Sequence, residues 1–110
     1  MSGPVSDPVA EALRELRREY HAESPARVAE LRRVLAALAG GEERAETELT
    51  MLCHRLAGSG GAYGFPKVSV AAREMERMLQ SEPHWTPARL AELEAGIREI
   101  EEAFAQGSPD

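Results

Sequence analysis

The chain has 110 residues, 43% hydrophobic and 5% aromatic, with 19 acidic against 13 basic side chains and a formal net charge of -6. That length suits one small domain, and the acidic balance opposes the phosphate attraction on which nucleic-acid affinity rests. The longest apolar run, around Val34 to Ala39, is far short of the roughly 18 to 20 residues of a membrane span, and MSGPVSDPVAEALRE carries no signal pattern. A cytoplasmic protein without membrane contact is therefore expected, and the lone Cys53, which has no intramolecular disulfide partner, agrees with a reducing compartment.

Ala, Leu, Glu and Arg dominate, so intrinsic propensity favours helix almost throughout. Asp7-Pro8 reads as an N-cap followed by proline at the first helical position, and Val9, Leu13, Leu16 and Tyr20 follow at helical spacing. Ser24-Pro25 repeats the start signal for a second helix, with Val28, Leu31, Leu35 and Leu38 on one stripe before Gly40-Gly41. A third helix is expected from near Glu42, its stripe Ala45, Leu49, Leu52 and Leu56. Pro66 opens a fourth, with Val68, Ala71, Ala72, Met75, Met78 and Leu79 apolar, closed by Ser81 to Pro83. Thr86-Pro87 begins a fifth, carrying Leu90, Leu93, Ile97, Ile100 and Phe104.

Each stripe covers one side only, so each helix must bury it against others, and the short connections favour antiparallel neighbours. The expected fold is all-α, an up-and-down bundle in a single domain over residues 1–110. Its ordered core covers about residues 7–106, and Met1 to Val5 and Gly107 to Asp110 are expected to fray. Trp85 is expected to cap one end of the bundle, His21 and His84 to lie at the surface, and no metal site is readable.

The stretch CHRLAGSGGAYGF, residues 53–65, carries the chemistry. Its glycines do not fit G-x-x-x-x-G-K-[ST], and a helix rather than a strand precedes them, which argues against a nucleotide cradle. Cys53 and His54 do not form a nucleophile and base, because adjacent residues on a helix point about 100° apart. With Leu49 at zero, the core residues of this helix centre near about 340° and His54 falls near about 140°, pointing outward. Thr47, Thr50, Met51, Ala57, Gly58 and Gly61 surround it on that outer face, mostly small residues where a solvated helix would carry long charged side chains. Two structural readings of the glycines stay open: the helix ends at Gly58, or glycine admits a neighbouring helix. The third is that the face is kept bare for another protein.

The run His54-Arg55-Leu56-Ala57-Gly58-Ser59-Gly60-Gly61-Ala62-Tyr63-Gly64-Phe65-Pro66 resembles the signature of the histidine phosphotransfer (HPt) domain family: histidine, x-L-K-G-S, small residues, then glycine with an apolar residue and often proline. PARVAELRRVLAAL before it and VSVAAREMERML after it resemble the family's flanking helices.

The resemblance implies an antiparallel four-helix bundle with an additional short N-terminal helix. It implies that His54 takes a phosphoryl group from one aspartyl phosphate and passes it to another aspartate, in a two-component phosphorelay. It also implies receiver domains of response regulators or hybrid sensor histidine kinases as partners, and no cofactor of the chain's own, the Mg²⁺ belonging to the receiver. The chain would be a carrier rather than an enzyme, and is expected to be a monomer. Met51, Arg55, Ala57, Gly58 and Gly61 would form the docking surface. Ser59, Lys67, Glu76 and Gln80 would support the site, Glu76 or Gln80 through the imidazole nitrogen that is not phosphorylated. One departure is Ala57, where the family usually has lysine; Arg55 or Lys67 would substitute only by reaching across. The alternative is a non-transferring HPt-like module that binds and regulates a histidine kinase or response regulator.

Overall fold

A computed structural model describes residues 7–82 and 84–108. Met1 to Ser6, Pro83, Pro109 and Asp110 lie outside the described residues. The five helices are α1 (Pro8–Ala22), α2 (Ser24–Ala39), α3 (Ala45–Ala62), α4 (Pro66–Ser81) and α5 (Pro87–Gln106), with no strand among the described residues. Asp7 caps α1, its carboxylate accepting the Val9 N–H at 3.0 Å while Pro8 fills a position that needs no N–H. Thr86 caps α5 likewise, its hydroxyl accepting the Arg89 N–H at 3.2 Å.

Two helix starts differ from expectation. Ser24 is not a cap: Glu23 between α1 and α2 keeps right-handed helical backbone (φ -83°, ψ -5°), and Ser24 is buried in the first turn of α2. Helix α3 begins at Ala45 rather than Glu42. Gly41 closes α2 with a left-handed φ of +80°, so the Glu42 N–H bonds back to the Ala37 carbonyl and the Gly41 N–H to the Leu38 carbonyl, each at 3.0 Å. Glu42 thus completes the end of α2, and Glu46 and Glu48 supply the acid in the first turn of α3.

Helices α2 to α5 pack in a ring, α3 against α4, α4 against α5, α5 against α2 and α2 against α3. Leu31, Val34, Leu49, Cys53, Val68, Met75, Leu93, Ile97 and Ile100 fill its centre with almost no exposed surface. Burying each such aliphatic side chain stabilises by about 1.5–3 kcal/mol. Arg32 adds a two-point bridge to Glu101, at 3.0 and 3.1 Å, between α2 and α5, in a solvated position where such pairs contribute about 1 kcal/mol or less.

Helix α1 departs from the expected stripe burial. Only Tyr20 is buried, while Val9, Leu13 and Leu16 stay 67%, 47% and 45% exposed, because α1 packs on the end of the ring rather than along it. Tyr20 stacks on Tyr63 with ring centroids 4.6 Å apart and meets Phe65 and Phe104 at 5.8 Å. His21 is not a free surface histidine: its ring stacks on Phe65 and its Nε2 lies 2.9 Å from the Phe104 carbonyl, to which it donates. The Gly107 N–H donates to the Ala103 carbonyl at 3.0 Å, and Gly107 lies tight against the Phe65 ring. At the opposite end Trp85 packs against the core, its N–H 3.4 Å from Glu46 and the Arg89 guanidinium 4.1 Å over its ring. His84 is exposed as expected.

The glycines of α3 divide by role. The helix runs through Gly58, Gly60 and Gly61 to Ala62, so it does not end at Gly58. Gly64, with φ +85°, is the left-handed residue that stops it, the Phe65 N–H returning to the Gly60 carbonyl at 2.7 Å. Gly60 is buried where a Cβ would meet Val68 Cγ1, the Ser69 N and the Phe65 carbonyl at 3.1–3.3 Å. At Gly58 a Cβ would meet nothing. The same substitution therefore has opposite signs at the two sites. Gly58→Ala is expected to raise unfolding free energy by about 0.5–1 kcal/mol through helix propensity. Gly60→Ala is expected to lower it by about 1–2 kcal/mol because α4 must shift. Urea unfolding of the two variants checks both signs.

Candidate functional site

His54 stands near the middle of α3 with its side chain 76% exposed, while the adjacent Cys53 is fully buried. Adjacent positions differ by about 100° on a helix, so one enters the core and the other the solvent. Its Nδ1 lies 2.9 Å from Glu76 Oε2 on α4, and the Glu76 side chain is only 20% exposed. A carboxylate accepts, so the Nδ1–H donates and the lone pair of the neutral ring is left on Nε2, the solvent-facing nitrogen.

The surroundings are as bare as the periodicity implies, with two exceptions, the half-buried Thr50, whose hydroxyl donates to the Glu46 carbonyl, and Ala57. Thr47, Met51, Arg55, Gly58 and Gly61 are exposed. Ala57 is 5% exposed and does not belong to the open surface. It faces α4, which approaches closely because Gly60 and Gly61 present no side chains, and the buried Ser69 hydroxyl donates to the Ala57 carbonyl at 2.6 Å. A groove between α3 and α4 is lined by Thr47, Thr50 and Met51, in the turns of α3 before His54, and by Leu79 and Gln80. A second groove on the other flank runs between α2 and α3 over Leu31, Leu52 and Leu56, with Arg27 and Arg55 at its edges.

The other sequence-selected residues separate. Glu76 joins the site directly, and Gln80, one turn further along α4, shares its flank. Lys67 does not: it lies nine residues before Glu76, about 180° around the helix, and lines grooves toward α5 with Ala103 and Gln106. Ser59 does not face the imidazole, since its hydroxyl is 2.7 Å from the Tyr20 hydroxyl and ties α1 to α3. Arg73, passed over in the sequence, is exposed one turn before Glu76 on that same flank. Among the described residues, no group of three or more His, Cys, Asp or Glu side chains is placed to hold a metal ion, and no helix is long and apolar enough to cross a membrane.

A family model described as Hpt domain matches residues 15–103. The chain therefore belongs to the Hpt domain family, whose members are phosphoryl carriers of two-component signalling that interact with receiver domains and kinases. No match was found among curated proteins or solved structures.

Burial pushes the Cys53 thiol up to about 12, with the nearby Glu76 charge adding to the effect. The folded thiol keeps its proton where the unfolded thiol, near its ordinary 9.0, ionises. The contribution to stability is therefore complete below about pH 9 and declines as pH rises toward 12. Urea unfolding at about pH 8 and about pH 10.5 is expected to show a fall in stability that is smaller in Cys53→Ala, with Cys53 of the native chain unreactive toward a thiol reagent at about pH 8.

Proposed function

We propose that the chain is a histidine phosphotransfer protein that carries a phosphoryl group on His54 between receiver-domain aspartates. The reading takes the ring of α2 to α5 as an antiparallel four-helix bundle, with α1 as the added N-terminal helix of one domain. The observation that carries it is an imidazole mid-helix, 76% exposed, with Nδ1 engaged by Glu76 and Nε2 toward solvent.

The Nε2 lone pair attacks the phosphorus of an aspartyl phosphate. The P–O bond to the aspartate breaks, and its electron pair leaves on the carboxylate. The ring keeps its Nδ1 proton throughout, so no separate base is needed. Such transfer depends chiefly on in-line positioning and on neutralising charge on the equatorial oxygens. The receiver and its Mg²⁺ supply the second requirement, and this chain supplies the nucleophile and a surface that allows approach.

Met51, Arg55, Gly58 and Gly61 form the docking surface in this reading, with Gln80 at its α4 edge. Gly58 is the informative position. A helical, exposed glycine costs about 1 kcal/mol relative to alanine, and no neighbour within the chain occupies the space its Cβ would fill. The space is left for the partner.

Ala57 favours a second reading, a non-transferring module of the same surface, because the family usually places lysine there and neither Lys67 nor a side chain at position 57 supplies that cation beside His54.

The decisive experiment incubates the protein with prephosphorylated receiver domains and Mg²⁺, with His54→Gln as control. An adduct that is acid-labile, base-stable and absent in the variant is expected. Binding to a receiver without any adduct would sink the carrier reading in favour of the second. Gly58→Val is expected to slow transfer at least tenfold, with the helical circular dichroism of the native chain retained; a loss of about 1.4 kcal/mol at the docking step suffices for that factor.

A further inference from the structure

We infer that the negative charge of Glu76 biases the transfer equilibrium toward phosphoryl stored on His54, so that Glu76 helps to set the direction of flow; this rests on the carrier reading above. The form of the ring that can attack is the neutral one, its Nδ1–H donating to a carboxylate. After transfer the ring carries the phosphoryl on Nε2, keeps the proton on Nδ1 and bears a formal positive charge, while the aspartate of the donor leaves as carboxylate. Total charge is conserved, but the partner of the 2.9 Å hydrogen bond changes from a neutral N–H to a cationic one. A hydrogen bond with both groups ionised is stronger than one with a single ionised group. Glu76 therefore stabilises the phosphorylated ring more than the free ring.

The phosphoryl group is itself negative and is repelled by the same carboxylate, so the two effects must be compared. Attraction acts across the hydrogen bond, on a carboxylate whose side chain is 20% exposed. Repulsion acts across the full width of the ring, on a group at a 76% exposed side chain, where solvent and salt screen it. The contact wins, by an amount typical of a partly solvated ion pair.

Other charged or titratable groups do not reproduce the effect. Among the described residues Glu76 is the charged side chain that hydrogen-bonds the ring. Cys53, which feels the Glu76 charge from the core side, is held protonated by burial and carries no charge. Arg55 projects about 100° away around α3, toward the α2–α3 groove. Arg73 lies on the Glu76 flank of α4, one turn away.

The test separates charge from positioning. Glu76→Gln keeps an oxygen acceptor for the Nδ1–H and removes the charge, whereas Glu76→Ala removes both. The wild-type chain and each variant are mixed with a receiver domain prephosphorylated with acetyl phosphate, and phosphoryl on each protein is read at equilibrium. ¹⁵N NMR of the unphosphorylated chains reads the His54 tautomer.

For Glu76→Gln the expected result is an equilibrium moved toward the receiver by about two- to fivefold, with the Nδ1–H tautomer retained. For Glu76→Ala the same shift is expected together with a mixed tautomer and a slower approach to equilibrium. An unchanged equilibrium position in both variants, whatever happens to the rate, would overturn the inference and leave Glu76 as a tautomer holder only. Failure of the wild-type chain to accept phosphoryl from receivers that bind it would overturn the carrier reading instead.

Discussion

The close approach of α3 and α4 is the constraint on which the rest of the molecule depends. It is possible because Gly60 has no Cβ where Val68, Ser69 and Phe65 come within 3.1–3.3 Å of the place one would occupy. The Ser69 hydroxyl then reaches the Ala57 carbonyl, and further along the same seam Glu76 reaches His54. A wider seam would leave the imidazole without its carboxylate and the two nitrogens without a fixed assignment. Helix packing and the chemistry of the site are thus one arrangement.

The same seam accounts for the contrast between neighbours. Cys53 and His54 are adjacent, yet one thiol is sealed in the core and one imidazole stands in solvent. Nothing but the helical rotation of about 100° separates them. The imidazole is thereby anchored through a fully buried neighbour, because the residue before it is packed against the bundle. For the proposed transfer, which depends on in-line approach, that anchoring matters more than any group able to move a proton.

Much of this was legible in the sequence, and the failures have physical causes. Periodicity located the five helices and put His54 outside, because amphipathic stripes report which face is buried. It misjudged α1, since Val9, Leu13 and Leu16 form a stripe as regular as any yet lie beyond the ring that would cover them. It misplaced the start of α3, because glutamates after Gly41 resemble a helix N-terminus whether or not their N–H groups close the preceding helix. Ala57, expected on the open face, is buried against α4, because rotation about one helix says where a side chain points but not how near the next helix comes. The packing role of Phe65, in the aromatic cluster with Tyr20 and Phe104, was not legible for a related reason: it sits between α3 and α4, outside any period.

Exposure also suits a carrier in energetic terms. A group that must be both accepted and given away needs an equilibrium near balance, and every 1.4 kcal/mol displaces it tenfold. A buried ion pair behind the imidazole, with the several kcal/mol that breaking such a pair costs, would fix the phosphoryl on one side. A pair with one solvated member, like His54 and Glu76, stays in the range of about 1 kcal/mol or less. That is enough to tilt the exchange and too little to arrest it. On the carrier reading, an imidazole held by a single hydrogen bond on an open face is therefore what reversible transfer through a small helical domain requires, with metal and acid left to the partner.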